Sequence, residues 1–202
     1  MKFLTFALVL ALAHPLQAET FAEGAMKPGL FTDLSQALTY THERKIPEAK
    51  EPPAGYRLVA PVSAEVIHLR PDPVNGLVLT AELDGATRPL TAFPKGAPNP
   101  ILLVFLENVM RSTAQVTGGS HDYIRNRMRT SIGTQTIQDL PEARQGISYQ
   151  PFLEDRYAER LGEFAGLTIS ISWSKGDPSR LVELKAEAGE TYRETLILSV
   201  KE

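Results

Sequence analysis

The sequence predicts an α+β fold. It should be an antiparallel curved sheet, N-terminal strands plus a C-terminal three-stranded meander, covered by a central helical hairpin and a third helix. Three observations carry that expectation. Residues 167–200 alternate apolar and polar side chains with a period of two over three short runs. Residues 100–132 switch to three- and four-residue spacing in two blocks joined by Gly118-Gly119-Ser120. The strands fall into two groups separated by helices, which favours α+β over a βαβ parallel sheet.

The chain opens on MKFLTFALVLALAHPLQA, residues 1–18. Lys2 supplies a positive start, Phe3 to Ala13 form an uncharged apolar run, and Pro15 with Ala18 provides a small-residue exit. That order describes a secretory signal peptide with cleavage near Ala18. Its apolar core is shorter than the roughly 20 residues a bilayer span needs. A periplasmic or secreted location is therefore expected. Residues 19–202 are expected to form one globular α+β domain.

Residues 19–36 read as a loosely structured lead-in, with a turn of helix near Asp33-Leu34-Ser35. Leu38 to Arg44 alternates and is rich enough in β-branched and aromatic residues for a strand. Residues 46–55 hold three prolines and a glycine and form a loop. Strands are expected at 56–60, 63–70, 77–83 and 87–93, with turns at 71–76 and at Asp84-Gly85. Leu77, Leu79, Ala81 and Leu83 share one face of their strand; Val78, Thr80 and Glu82 share the other.

Asn99-Pro100 supplies an N-cap and a first helical residue. Leu102, Phe105, Leu106, Val109, Thr113 and Val116 then form a broad apolar stripe, and Gly118 is placed to stop the helix in the left-handed conformation. Ser120 can cap a second helix, 121–132, with Ile124, Met128 and Ile132 in one row. Residues 133–150 carry no clear period. Pro151 is expected to start a third helix with Leu153, Tyr157, Leu161 and Phe164 on one side, closed by Gly166. Leu167, Ile169, Ile171 and Trp173 begin the final meander; Val182, Leu184 and Ala186, then Tyr192, Leu196, Leu198 and Val200, continue it.

Composition limits the function classes. The 202 residues carry 21 Lys and Arg against 24 Asp and Glu, a formal charge of −3. Loss of Lys2 with the leader makes it −4. Weak acidity argues against nucleic acid as a partner, because phosphate neutralisation needs a basic surface. The chain has no cysteine. That excludes a disulfide, a thiolate nucleophile, a thiolate zinc site and an N-terminal lipid anchor on cysteine. After Ala18 the longest apolar run is Ile101 to Leu106, too short to span a membrane.

Four constellations bear on chemistry. The hairpin joint, Ser120-His121 followed by Arg125 and Arg129 at four-residue steps, with Arg111 on the preceding helix, offers a candidate anion or partner site. Arg127 lies on a different side. His42 and His68 are each in phase with apolar neighbours and are both expected on the dry face, with Glu43 and Glu65 pointing away; no ligand spacing supports a metal, and none is expected. Ser120-His121-Asp122 has the letters of a catalytic triad, but consecutive helical residues splay by about 100° and do not converge. Glu154, Asp155 and Glu159 beside Arg156 and Arg160 read as a solvated charged face. Finally, Ile101 to Leu106 is apolar nearly all round and suits either a buried helix or the wall of an apolar groove.

No cofactor is expected. The sequence is best read as an exported, soluble, non-enzymatic binding or accessory protein of the bacterial cell envelope. Its partner would be an envelope protein or a small apolar or anionic ligand. The alternative is a small periplasmic hydrolase with a site near the helical hairpin, at His121, Asp122, Arg125 and Arg129.

Overall fold

The computed structural model describes residues 20–48 and 58–199. The leader and the first two residues of the strand expected at 56–60 lie outside them. The four N-terminal strands are β1 (Leu38–Lys45), β2 (Val62–Asp72), β3 (Gly76–Leu83) and β4 (Ala86–Phe93). Helices α1 (Pro100–Thr117) and α2 (His121–Gly133) follow, then β5 (Gln138–Leu140), β6 (Arg144–Tyr149) and a short α3 (Ala158–Leu161). A 3-10 turn (Gly162–Gly166) leads into β7 (Thr168–Ser174), β8 (Asp177–Ala188) and β9 (Tyr192–Leu198).

All nine strands form one curved antiparallel sheet in the order β4-β3-β2-β1-β9-β8-β7-β6-β5. Two meanders run outward in opposite directions and are joined where β1 pairs with β9, Tyr40 opposite Leu198 and Arg44 opposite Glu194. The sheet is thus joined at its centre by the first and last of the described strands. One face carries the core: Ile67 and Leu69, Leu77 and Leu79, Ile169 and Ile171, Leu184 and Ala186 are all buried. Each large side chain buried there contributes about 1.5–3 kcal/mol.

The helices cover that face for reasons visible in their ends. Asn99 is buried, and its side-chain oxygen accepts from the Ile101 and Leu102 amides at 3.1 and 3.3 Å. Pro100 occupies the first turn, where a missing N–H costs nothing. Gly118 ends α1 at φ 68, a conformation a Cβ disfavours, and its amide returns to the Ala114 carbonyl at 2.9 Å. Leu102, Phe105 and Val109 fill the core, as the stripe predicts. Ser120 precedes α2, but its side chain makes no capping bond. Ile124, Met128 and Ile132 are the buried row.

Four segments depart from the sequence reading; of these, residues 58–60, expected in a strand, belong to none. The lead-in is packed rather than loose: Phe21, Ala25 and Phe31 are buried, and the Phe21 ring lies 5.7 Å from that of Trp173. The Phe21 amide donates to the Gln135 carbonyl at 3.1 Å, and Thr20 bridges Thr136. The unassigned stretch 133–150 supplies β5 and β6. Gly146 is required there, because a Cβ would stand 2.5 Å from the Ile171 carbonyl oxygen. The third helix is much shorter than expected. Glu154 adopts a positive φ of 58, and Asp155 turns inward to accept from the Tyr157 amide at 2.9 Å. That local bond competes with helical pairing, so Leu153 is left exposed and α3 begins only at Ala158.

Candidate functional site

The central strands change character along their length. Inward positions of β1 run from Leu38 and Tyr40 to His42 and Arg44. Across the ladder, His42 stands opposite Glu65 on β2, and Arg44 opposite Glu194 on β9. At one end of the dry face, three adjacent strands therefore replace apolar side chains by charges. His42, Glu65 and Glu194 are 2%, 3% and 0% exposed. Burying such groups is tolerated only when they are paired and hydrogen-bonded.

The pairing is dense. His42 Nδ1 lies 3.0 Å from Glu65 Oε1, and Nε2 lies 3.1 Å from Glu194 Oε1. A neutral imidazole has one donor nitrogen, whereas two carboxylates ask for two, so this pairing favours the imidazolium. Burial works against that charge. The hydrogen bonds to Glu194 and Glu65 outweigh it and raise the His42 pKa above its ordinary value. Arg44 donates from Nη1 to Glu194 Oε1 at 3.3 Å and from Nε to the Ala60 carbonyl at 2.9 Å. The Tyr192 hydroxyl donates to Glu194 Oε2 at 3.0 Å. Arg88, from edge strand β4, pairs with Glu65 Oε2. Burial pushes the Glu65 carboxyl up, but its bonds from His42 and Arg88 bring it below the ordinary glutamate range.

This cluster floors one end of a groove of about 650 Å³ between α1 and the β1–β4 half of the sheet. Ile67, Leu79, Leu90 and Phe93 line its sheet side, and Ile101, Leu103 and Val104 its helix side. Glu107, Asn108 and Arg111 follow on the next turns of α1. The apolar run 101–106 is thus divided. Leu102 and Phe105 enter the core, while half-buried Leu103 and Val104 face the groove.

The sequence-predicted site residues are divided as well. Arg111 lines the groove. Ser120 is exposed and His121 half-buried at the start of α2. Arg125 pairs with Asp122 at 2.9 Å and with Glu107 at 3.8 Å, which ties the α2 edge to the groove rim. Arg129 donates to Asn126 at 3.4 Å. Ser120, His121 and Asp122 are consecutive at the helix start.

The two histidines are on opposite faces. His42 faces inward, but His68 points to the polar side, 3.2 Å from the Thr39 hydroxyl and 3.5 Å from Glu82. Both faces of β2 carry apolar residues near His68, so the strand's phase is ambiguous in sequence; Glu65, Ile67 and Leu69 point inward instead. No group of histidine and carboxylate side chains arranged to hold a metal occurs among the described residues. Asp155 is also not solvated. It accepts from the Tyr123 hydroxyl at 2.7 Å and pairs with Arg127 at 2.9 Å, which locks residues 151–157 onto α2. Burial pushes its carboxyl up, but the bonds from Tyr157, Tyr123 and Arg127 outweigh burial and bring it below the ordinary range.

Arg44, Arg88 and Glu194 are not singled out by sequence, and Glu65, expected to point away from His42, faces it. A signal existed for two of them. Arg44 continues the Tyr40–His42 phase, and Glu194 interrupts the inward series Tyr192, Leu196, Leu198 with a charge. Comparisons with protein-family models, with curated proteins and with solved structures each returned no match to this chain.

Proposed function

We propose that this chain is an exported, non-enzymatic binding protein of the bacterial cell envelope, and that its ligand occupies the groove between α1 and the β1–β4 half of the sheet. One observation carries the reading. A single helix fills the core with Leu102 and Phe105 and presents Leu103 and Val104, half-buried, to a groove large enough for a small ligand. Apolar pockets of about 300–1,000 Å³ with a few convergent polar groups are the usual form of small-molecule sites. The leader-like residues 1–18 support export.

Native mass spectrometry of the full-length gene product, recovered from its host's envelope fraction, tests this. The expected spectrum shows a polypeptide beginning near Glu19 that retains a small apolar adduct, and Val104→Trp, which fills the groove, loses the adduct. A polypeptide retaining residues 1–18 in the cytosol would overturn export. An adduct retained equally by Val104→Trp would overturn the groove as its site.

A further inference from the structure

We propose that residues 58–60 form a strap that gates the groove: docked, it walls off the polar end, and it lifts for a ligand to enter or leave. This rests on the groove being the binding site. The segment belongs to no strand or helix and leads into β2. Leu58, Val59 and Ala60 all line the groove, beside Arg44 and Val62 on the sheet and Arg111 on α1. Two side chains hold it, one from each wall. Gln115, one turn beyond Arg111 on α1, accepts from the Val59 amide at 2.7 Å and donates to the Val59 carbonyl at 3.1 Å. Arg44, on β1, donates from Nε to the Ala60 carbonyl at 2.9 Å. The segment therefore bridges helix and sheet across the end of the groove.

The kind of bonding decides which wall can move. Helix α1 is anchored by Leu102, Phe105 and Val109, all fully buried. The sheet wall is anchored by the β1–β2, β2–β3 and β3–β4 ladders. Parting either wall would open the core or break a row of ladder bonds together. Among the described residues, the strap's backbone is bonded by side chains alone. Val59 is buried while its neighbour Leu58 is 52% exposed, so one valine side chain plugs the end. Lifting the strap breaks three side-chain bonds and uncovers that one valine. Local opening is drawn from segments held in this way, and a segment that closes over a site governs entry and release. Gln115 is the latch. Its carboxamide satisfies both backbone groups of Val59, as a neighbouring strand would. Arg44 also holds Glu194 at 3.3 Å and belongs to the buried charge cluster.

Stopped-flow binding of N-phenyl-1-naphthylamine, a neutral apolar fluorophore, combined with hydrogen exchange at the Val59 amide, tests the strap in the full chain. Gln115→Met keeps the length of the side chain and loses both bonds. Exchange at Val59 should quicken about ten-fold or more, while the Phe105 and Val109 amides exchange as in the wild type. Association and dissociation of the fluorophore should both quicken, by about five-fold or more, with affinity changing less than either rate, because a gate alters access in both directions. Val59→Ala, which shrinks the plug without touching α1, should quicken both rates as well, and it decides alone if the α1 amides also quicken in Gln115→Met. Faster dissociation without faster association would mean a lost wall contact and would overturn the gate, as would unchanged rates in both variants; either result leaves the groove standing. Unchanged exchange at Val59 in Gln115→Met would overturn the latch and the gate with it. No binding of the fluorophore to the wild type would overturn the groove reading and this inference together.

Discussion

Replacing His42 by leucine removes the cation that, among the described residues, bridges Glu65 and Glu194. Both carboxylates are buried, at 3.0 and 3.1 Å from the ring nitrogens. Breaking a buried pair by deleting one partner costs about 3–5 kcal/mol. Here each acid keeps some support: Glu65 keeps Arg88, and Glu194 keeps Arg44 and the Tyr192 hydroxyl. The loss should therefore fall near the lower end, about 3 kcal/mol, which for a chain of this size is a fall in Tm of roughly 6–12 °C. Its pH dependence has a definite sign. The folded-state pKa of His42 is raised above the ordinary value of 6.5. The stability it contributes is therefore fully present below 6.5 and is lost as pH rises through the raised value. Urea unfolding of the wild type and of His42→Leu, followed by circular dichroism from neutral to alkaline pH, measures the difference. The gap should shrink as pH rises. A gap under about 1 kcal/mol at neutral pH, or one that widens toward alkaline pH, would refute the imidazolium bridge.

Other consequences follow from single contacts. Asn99→Ala should cost about 0.5–2 kcal/mol through its lost capping bonds, whereas Ser120→Ala, which makes no such bond, should stay within about 0.5 kcal/mol; equal effects in urea unfolding would contradict the two helix starts. Gly146→Ala places a Cβ 2.5 Å from the Ile171 carbonyl oxygen and 2.8 Å from Leu140 Cδ1, so it should destabilise by about 1–3 kcal/mol, and an unchanged unfolding midpoint would argue against the β6–β7 register. Arg125→Glu combined with Arg129→Glu alters an exposed helix edge and should change stability by less than about 1 kcal/mol; a large loss would mean that this edge is buried in the native protein.

The elements legible in the sequence are those whose stability is local. Helix α1 announces itself through Asn99, Pro100, its stripe and Gly118, and the C-terminal meander through strict alternation. Strands β5 and β6 did not, because Gln138–Leu140 is short, lies on the surface and carries no period. The third helix was overdrawn because helical spacing from Leu153 to Phe164 says nothing about Glu154, whose positive φ interrupts it. The candidate site was less legible than the fold. His42 finds its partners 23 and 152 residues away in sequence. Only the β1–β9 pairing, a long-range contact with no local signature, brings Glu194 beside it. The apolar run 101–106 was legible as a helix, but its division between core and groove depends on where β4 lies.

Backbone amide chemical shifts recorded during titration with N-phenyl-1-naphthylamine test the groove most directly. The predicted result is a set of perturbed amides confined to residues 88–93 and 101–111 and, at the polar end, His42, Arg44 and residues 58–60. Unmoved amides across 88–111, with the changes gathered instead at the start of α2 or in the hollow lined by Ser148, Ser170 and Ser172 on the opposite face, would contradict it.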